Sequence, residues 1–308
     1  MMKRYLLYFN HTWRKCELDF RRSPQAVRDV FGVLFIIVGV AAICGNILAF
    51  YYLVKPPKKE AKLKSDKILL SLVINDLIIG VLVCPMMGFE QFFEYYFHVC
   101  HAQAMVISTF YFIASVNIAY IAFYRCRILM KECDAEQYLE SVNVNTLIVC
   151  WWLIPPFLCV TTYSIALRYY VPMLALVYLI TLSIVCVSYV IIIRAIYKVK
   201  KTLSTNNTCR QSQARFKVGR KVAGFIICYI VCFSPIVVML VINLFYLCLE
   251  LKRPPGLQIF FIVADFLACV NSCINPWVYT LKKHRLKQRM ERKKRQRELM
   301  KKYAVVVY

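Results

Sequence analysis

Residues 271–279 read NSCINPWVY and lie inside the last long apolar stretch of the chain. They include two asparagines, a serine and a proline, where a helix that faces lipid would carry apolar side chains. Polar side chains at membrane depth need partners on neighbouring helices. Pro276 also has no N–H to donate, so it frees a backbone carbonyl one turn earlier. The stretch therefore predicts a kinked helix inside a bundle that has a polar interior.

The composition around this stretch predicts a polytopic membrane protein. Of 308 residues, 60% are hydrophobic, and the mean hydropathy is +0.57. Seven apolar stretches each reach the roughly 20 residues needed to cross a bilayer. They run approximately over residues 31–54, 68–89, 99–124, 146–167, 169–193, 222–249 and 257–281. We expect an all-α membrane fold, a seven-transmembrane helix bundle over 30–281, between an extracellular segment 1–29 and a basic cytoplasmic tail 282–308.

The positive charge gives the expected orientation. Of the 40 basic residues, 30 fall in the four segments that seven spans would place on one side, and the net charge is +24. The positive-inside rule then predicts a cytoplasmic C-terminus and an extracellular N-terminus. The apolar run Tyr5–Phe9 is too short for a signal peptide, so span 1 would direct insertion. Because the charge collects at the inner ends of spans, membrane lipids are the expected partner and nucleic acid is not.

The region after span 7 has two interpretations. Leu281, Leu286 and Met290 recur at near-helical spacing within a strongly basic sequence. This pattern predicts a short amphipathic helix on the inner membrane surface. A disordered charged tail beyond Met290 is the alternative.

Acidic residues are rare in the predicted spans, where only Asp76 and Asp265 occur. An ionisable group at that depth costs a few kcal/mol, so each is a candidate functional residue. Asn46, Asn271 and Asn275 lie at a depth similar to that of Asp76. Together they predict one buried polar network, which could hold a cation or water or could be purely structural.

Span 3 carries two landmarks at its ends. Cys100 and Arg125 are separated by 25 residues, which is about 37 Å along an α-helix. This rise exceeds the hydrocarbon thickness, so Cys100 would lie at the outer rim and Arg125 at the inner mouth. Arg125 could simply extend to the headgroups, but its spacing from Cys100 favours a functional role.

An ordered set of landmarks extends over the whole membrane part. They are Gly45-Asn46, Leu72 with Asp76, Cys100, Arg125, Trp151-Trp152, Tyr189, Cys232-Phe233-Ser234-Pro235, and Asn271-Ser272 with Asn275-Pro276-Trp277-Val278-Tyr279. In this order and depth they resemble the rhodopsin-like (class A) G-protein-coupled receptors. The resemblance implies a receptor that is not an enzyme, with an extracellular ligand and a heterotrimeric G protein as partners.

The resemblance also implies roles at the inner face. Arg125 would contact the Gα subunit, and Tyr189 and Tyr279 would move toward Arg125 on activation. Phe233 would act as a switch beneath the ligand, above a pivot at Pro235.

The resemblance implies a second set of roles around Asp76. Asp76, Asn46, Asn271 and Ser272 would form a hub of the kind that binds sodium, although Ala114 stands where many members have serine. Asn275 and Pro276 belong to the activation switch. No other cofactor is expected.

One departure from the family concerns the restraint on Arg125. The usual acid-Arg-Tyr triplet reads Tyr124-Arg125-Cys126, and the inner end of span 6 carries Arg215 and Lys217 rather than an acid. The ionic restraint on Arg125 is therefore expected to be missing. We predict measurable basal signalling.

The outer cysteines depart from the family as well. The second outer loop, near Thr161–Tyr170, has no cysteine for Cys100. Pairing of Cys16 with Cys100 and of Cys16 with Cys248 are the leading alternatives; Cys159 is a further partner, or Cys100 stays free. The sequon at Asn10 predicts glycosylation on the same side.

The sequence excludes some classes of ligand more clearly than it indicates one. Ile107 stands where amine receptors carry an aspartate, which disfavours a monoamine. Asp265 lies ten residues before Asn275, about 15 Å outward, and Glu90 lies at the outer end of span 2. We expect a cationic peptide or amine near Asp265, Glu90, Ile107 and Phe233; an apolar ligand, with Asp265 paired to another helix, is the alternative.

Two other classes of membrane protein are weighed against a receptor. A hydrolase would need a metal or nucleophile cluster at depth, but none of the four histidines lies at membrane depth, since His101 is only two residues into span 3, and we expect no metal site. A transporter or channel remains the alternative function, because buried polar residues and broken helices also line ion pathways.

Overall fold

The computed structural model describes residues 24–54, 64–93, 97–130, 143–165, 167–205, 210–249, 254 and 256–276. Within these residues, seven helices are long and apolar enough to cross a membrane. They are α1 (Gln25–Val54), α2 (Lys64–Ile78, Ile79–Val83 and Cys84–Phe92), α3 (Phe97–Met130), α4 (Val144–Ile165), α5 (Leu167–Thr205), α6 (Arg210–Cys248) and α7 (Leu257–Pro276). The described regular structure is entirely helical, which confirms the predicted seven-helix bundle.

The helices match the predicted spans in order, and α1, α2, α3, α5 and α6 extend beyond them. Helix α5 continues to Thr205 and α6 begins at Arg210, because charged residues can extend a helix beyond the apolar stretch that hydropathy detects. Helix α4 ends at Ile165 and α5 begins at Leu167, so their boundary lies close to Arg168, as predicted. The helix expected after span 7 lies outside the described residues and stays a prediction.

Helices α1 and α2 approach each other closely at two glycines, Gly39 and Gly80. A Cβ atom on Gly39 would lie 3.1 Å from the carbonyl oxygen of Gly80, and a Cβ on Gly80 would lie 3.1 Å from the carbonyl oxygen of Gly39. Small residues allow membrane helices to approach closely, where van der Waals packing replaces the hydrophobic driving force. This contact holds the outer half of α2 against α1.

Helix α2 changes its winding halfway along. Residues Ile79–Val83 form a π-helical segment, at whose end the N–H of Cys84 donates to the carbonyl of Ile79. A π turn accommodates an extra residue and is common where a helix is interrupted. Pro85 follows at once and removes the next backbone donor. The residues of α2 beyond Pro85 are therefore rotated relative to those around Asp76.

Burial differs among the helices. Helix α3 has the largest buried share and α4 the smallest among the described helices. Large apolar side chains of α4, such as Leu153 and Phe157, are exposed, as expected for a surface that faces acyl chains. The polar side chains considered below lie on the opposite, inner side of the bundle.

Candidate functional site

A buried cluster of polar side chains joins α2 to α7. The hydroxyl of Ser272 donates to Oδ1 of Asp76 at 2.9 Å, and Nδ2 of Asn275 donates to Oδ2 at 2.8 Å. All three residues are almost completely buried. Both oxygens of the carboxyl group of Asp76 therefore accept a hydrogen bond from α7. With Asn46 of α1, these residues are called the polar hub.

Asn46 completes the hub through the backbone. Its Nδ2 donates to the carbonyl of Ala42 at 2.9 Å and to the carbonyl of Ser272 at 3.0 Å. Pro276 lies four residues after Ser272 and has no N–H, so the intrahelical bond to that carbonyl cannot form. Asn46 supplies the missing donor. A Cβ on Gly45 would lie 3.2 Å from Cγ of Pro276, so a glycine permits this close approach of α1 to α7.

Several side-chain amide atoms near Asp76 have no hydrogen-bond partner among the described residues. Oδ1 of Asn46 and Oδ1 of Asn275 are buried acceptors without a donor, and Nδ2 of Asn271 is a buried donor without an acceptor. Unpaired buried polar atoms are costly and call for water or an ion. The hub combines a carboxylate with free amide oxygens, a donor set that suits a small hard cation. Ala114 has no hydroxyl to add to it.

A second polar region lies between the C-terminal end of α2 and the N-terminal half of α7, on the side expected to be extracellular. It is a cavity of about 120 Å³, called the outer cavity. Its lining residues are Met87, Glu90, Gln91, Gln258, Phe261, Ile262 and Asp265. Nε2 of Gln103, on α3, donates to Oε2 of Glu90 at 2.6 Å. The structure thus brings together Glu90 and Asp265 in one partly buried site.

Phe233 is the centre of an aromatic cluster, defined here as Tyr111, Tyr178, Tyr229 and Phe233. Its ring stacks on Tyr229 with centroids 4.6 Å apart, and it meets Tyr111 and Tyr178 edge-on at 6.1 and 6.4 Å. Phe233 is almost completely buried, two residues before Pro235. Such contacts add to the stabilisation by burial alone.

Tyr111 connects the outer cavity to this cluster. Its hydroxyl donates to the backbone carbonyl of Asp265 at 3.2 Å and contacts Sγ of Cys269 at 3.1 Å. Sequence reasoning missed Tyr111. The available signal was a tyrosine in the middle of span 3, since a buried tyrosine hydroxyl requires a partner on another helix.

Two residues predicted to bind the ligand lie apart from the outer cavity. Ile107 is partly buried on α3, and Phe233 lies in the aromatic cluster. Neither is among the described residues that line the outer cavity. Their roles as ligand contacts stay predictions.

The predicted coupling face is described only in part. Tyr189 is partly buried on α5 and packs against the core. Arg125 belongs to α3, but its side chain lies outside the described part of the molecule, as does the whole of Tyr279.

The predicted disulfide alternatives involve cysteines that the structure describes only in part. Cys248 is exposed at the end of α6, and Cys159 is buried in α4. Cys16, the side chain of Cys100 and the sequon at Asn10 lie outside the described residues. The pairings of Cys16 with Cys100 and with Cys248 and the glycosylation of Asn10 therefore stay predictions.

Comparisons with known proteins agree with this architecture. The family described as 7 transmembrane receptor (rhodopsin family) matches residues 155–279. The chain is also similar to somatostatin receptor type 5 of Rattus norvegicus, with 23% identity over 310 residues that cover 88% of this chain and 78% of that receptor. Together with the seven helices that are long and apolar enough to cross a membrane, these similarities support a multi-pass membrane protein that resembles the rhodopsin-like (class A) G-protein-coupled receptors.

Proposed function

We propose that this receptor lies in the plasma membrane with its N-terminus outside and converts binding of an extracellular ligand into activation of a heterotrimeric G protein. The proposal is supported mainly by two contacts of Tyr111. Its hydroxyl donates a hydrogen bond to the backbone of Asp265, and its ring packs against Phe233. Tyr111 connects the wall of a cavity on α7 with the buried centre of α6. The similarity to somatostatin receptor type 5, at 23% identity, supports the receptor class and no particular ligand.

The mechanism is a shift between two arrangements of the bundle. Ligand in the outer cavity displaces α7 at Asp265, and Tyr111 transmits the displacement to Phe233. Pro235 interrupts the backbone hydrogen bonds of α6, so the helix pivots there and its inner end moves away from Arg125. Ligand and G protein both favour this arrangement, so each increases the affinity for the other.

The polar hub is proposed as the element that holds the resting arrangement. Asp76 and the free amide oxygens of Asn46 and Asn275 would hold a sodium ion, which supplies positive charge beside a buried carboxylate. In the resting arrangement, Asp76 also keeps its two hydrogen bonds from α7. Rotation of α7 lengthens these bonds and weakens the site.

The ligand is proposed to be a cationic peptide or amine. Glu90 and Asp265 line the same cavity, and a positive group there would neutralise buried negative charge. Ligand pockets of this kind combine apolar walls with a few polar groups that fix orientation.

The proposal is tested by nucleotide exchange on purified G proteins, with the receptor reconstituted in nanodiscs. Because the triplet Tyr124-Arg125-Cys126 has no acid beside Arg125, we expect exchange above the receptor-free rate even without ligand. Arg125→Ala should lower this basal exchange by about fivefold or more. Exchange at the receptor-free rate with every Gα class would contradict the coupling.

A transport activity is tested in parallel. The same receptor in sealed vesicles should leave the fluxes of sodium, protons and amines at those of empty vesicles. Flux without nucleotide exchange would favour the transporter or channel alternative instead.

A further inference from the structure

We infer that the outer cavity binds an organic dication, a molecule that presents two ammonium groups joined by a short alkyl chain. This inference rests on the proposed function, in which the outer cavity receives the ligand. It goes further because it assigns the number of charges, the type of donor and the linker between them. A free diamine and an N-terminal lysine of a peptide share this chemistry.

The number of charges follows from the two carboxyl groups. Glu90 and Asp265 line one cavity of about 120 Å³. No basic side chain is among the described residues that line it. With a single positive group, one of the two carboxyl groups would stay protonated or uncompensated, because like charges in a partly buried site repel each other. Two positive groups compensate both.

The type of donor follows from the hydrogen bonds that are missing. Gln91 lines the same cavity and is only 3% exposed. Its Nε2 donates to the carbonyl of Met87 at 3.5 Å, whereas its Oε1 has no partner among the described residues. The carboxylate of Asp265 likewise accepts no hydrogen bond from the described part of the chain. These groups are all acceptors, so the complementary ligand supplies several N–H donors, as an ammonium group does.

The linker follows from the remaining walls. Phe261, Ile262 and Met87 add an aromatic ring and aliphatic side chains to the cavity. Such walls suit methylene groups, and the ring face can attract an ammonium group. A hydrated divalent metal ion would instead need oxygen ligands on most sides. The mixture of acceptors and apolar walls therefore favours an alkyl diamine over an inorganic dication.

The test measures binding directly, through the thermal unfolding midpoint of the purified full-length receptor in nanodiscs. The probes are cadaverine, L-lysinamide, n-pentylamine and calcium chloride, each titrated at constant ionic strength. Cadaverine and lysinamide carry two amino groups five carbons apart, whereas pentylamine carries one on a chain of equal length. We expect saturable stabilisation by at least one diamine, with a half-saturating concentration roughly tenfold to 30-fold below that of pentylamine. Lysinamide alone indicates a peptide end; cadaverine alone indicates a free diamine.

Variants connect the effect to the cavity. Glu90→Gln and Asp265→Asn preserve shape, and each should raise the half-saturating concentration of the active diamine to near that of pentylamine. Asp29→Asn is the matched control, because Asp29 is an exposed acid on α1 that accepts from Gln25 at 2.7 Å and is not among the residues lining the cavity. It should leave the titration unchanged. The midpoint of each variant without probe is measured first to establish that it is folded.

Four results would overturn the inference. They are equal half-saturation by pentylamine, equal loss of binding in Asp29→Asn, calcium stabilisation that depends on Glu90 and Asp265, and no stabilisation by either diamine in a folded receptor. The G protein is absent from this assay. Failure here therefore leaves the proposed coupling standing, and failure of nucleotide exchange leaves a measured diamine site intact.

Discussion

The polar hub and the outer cavity both place carboxyl groups between α2 and α7, but the protein satisfies them differently. Asp76 in the hub accepts hydrogen bonds at 2.9 and 2.8 Å from two side chains of α7. Asp265 in the outer cavity accepts none at its carboxylate from the described residues, although its backbone carbonyl is bonded to Tyr111. The carboxyl group of the hub is therefore paired within the protein, whereas the cavity has a carboxyl group left for a ligand.

The difference arises from proline and from the packing of α1. Pro276 frees the carbonyl of Ser272, and Asn46 reaches it because Gly45 lets α1 approach. Three helices thus share one hydrogen-bonded junction at the hub. At the outer cavity, Gly88 brings α2 close to α1, but the described residues that line the cavity belong to α2 and α7. Three helices joined by hydrogen bonds stabilise one arrangement of the bundle, whereas two helices that line a cavity can shift when a ligand binds.

The largest effect on stability is expected for Asn46→Leu. This change leaves the Ser272 carbonyl without its donor and should cost about 1–2 kcal/mol of unfolding free energy. Pro276→Ala restores a backbone N–H that can bond to that carbonyl. In a double-mutant cycle, Asn46→Leu should therefore cost less in the Pro276→Ala background than in the wild type. Thermal unfolding followed by circular dichroism measures the four proteins.

Additive costs in that cycle would contradict the role given to Asn46. Cys44→Ala is a suitable control on the same helix, because Cys44 is exposed toward lipid and its substitution should leave the midpoint unchanged.

A smaller effect is expected for Tyr111→Phe, which tests the connection from the cavity to the aromatic cluster. Loss of the hydroxyl should cost about 0.5–1 kcal/mol, and it should change basal nucleotide exchange because α7 is uncoupled from Phe233. Tyr178→Phe is closely matched: Tyr178 also meets Phe233 edge-on and donates to a carbonyl at 3.2 Å, but that carbonyl belongs to Ser108 on α3.

The two tyrosine variants should therefore differ more in basal nucleotide exchange than in unfolding free energy. If both change basal exchange equally, the connection to Asp265 is not the path of transmission.

The smallest effect on stability is expected in the outer cavity. Asp265→Asn and Glu90→Gln each remove one of two like charges. The hydrogen bond that Gln103 donates to Glu90 can still form, because the new side-chain amide also has an oxygen acceptor. The unfolding free energy should stay within about 0.5 kcal/mol of the wild type or rise slightly. A cost as large as that of Asn46→Leu would mean that the cavity acids are structural, and the contrast with the hub would disappear.

Much of the fold and the hub could be predicted from residue types. Apolar stretches of sufficient length gave seven helices, and buried Asp76 and Asn275 had to find partners because lipid offers none. The freed carbonyl was predictable from Pro276 alone. Tyr111 was not, since the partner of a tyrosine hydroxyl depends on how far α3 is rotated relative to α7.

The sequence by itself determined that polar groups must meet inside an apolar bundle, because the cost of an unpaired polar group in hydrocarbon is set by chemistry and not by geometry. Only the tertiary structure decided which of them meet. The π-helical turn at Ile79–Val83 and the contact of Gly39 with Gly80 fix the rotation and distance of α2. Those two quantities place Glu90 opposite Asp265, and they arise from long-range packing that no local pattern contains.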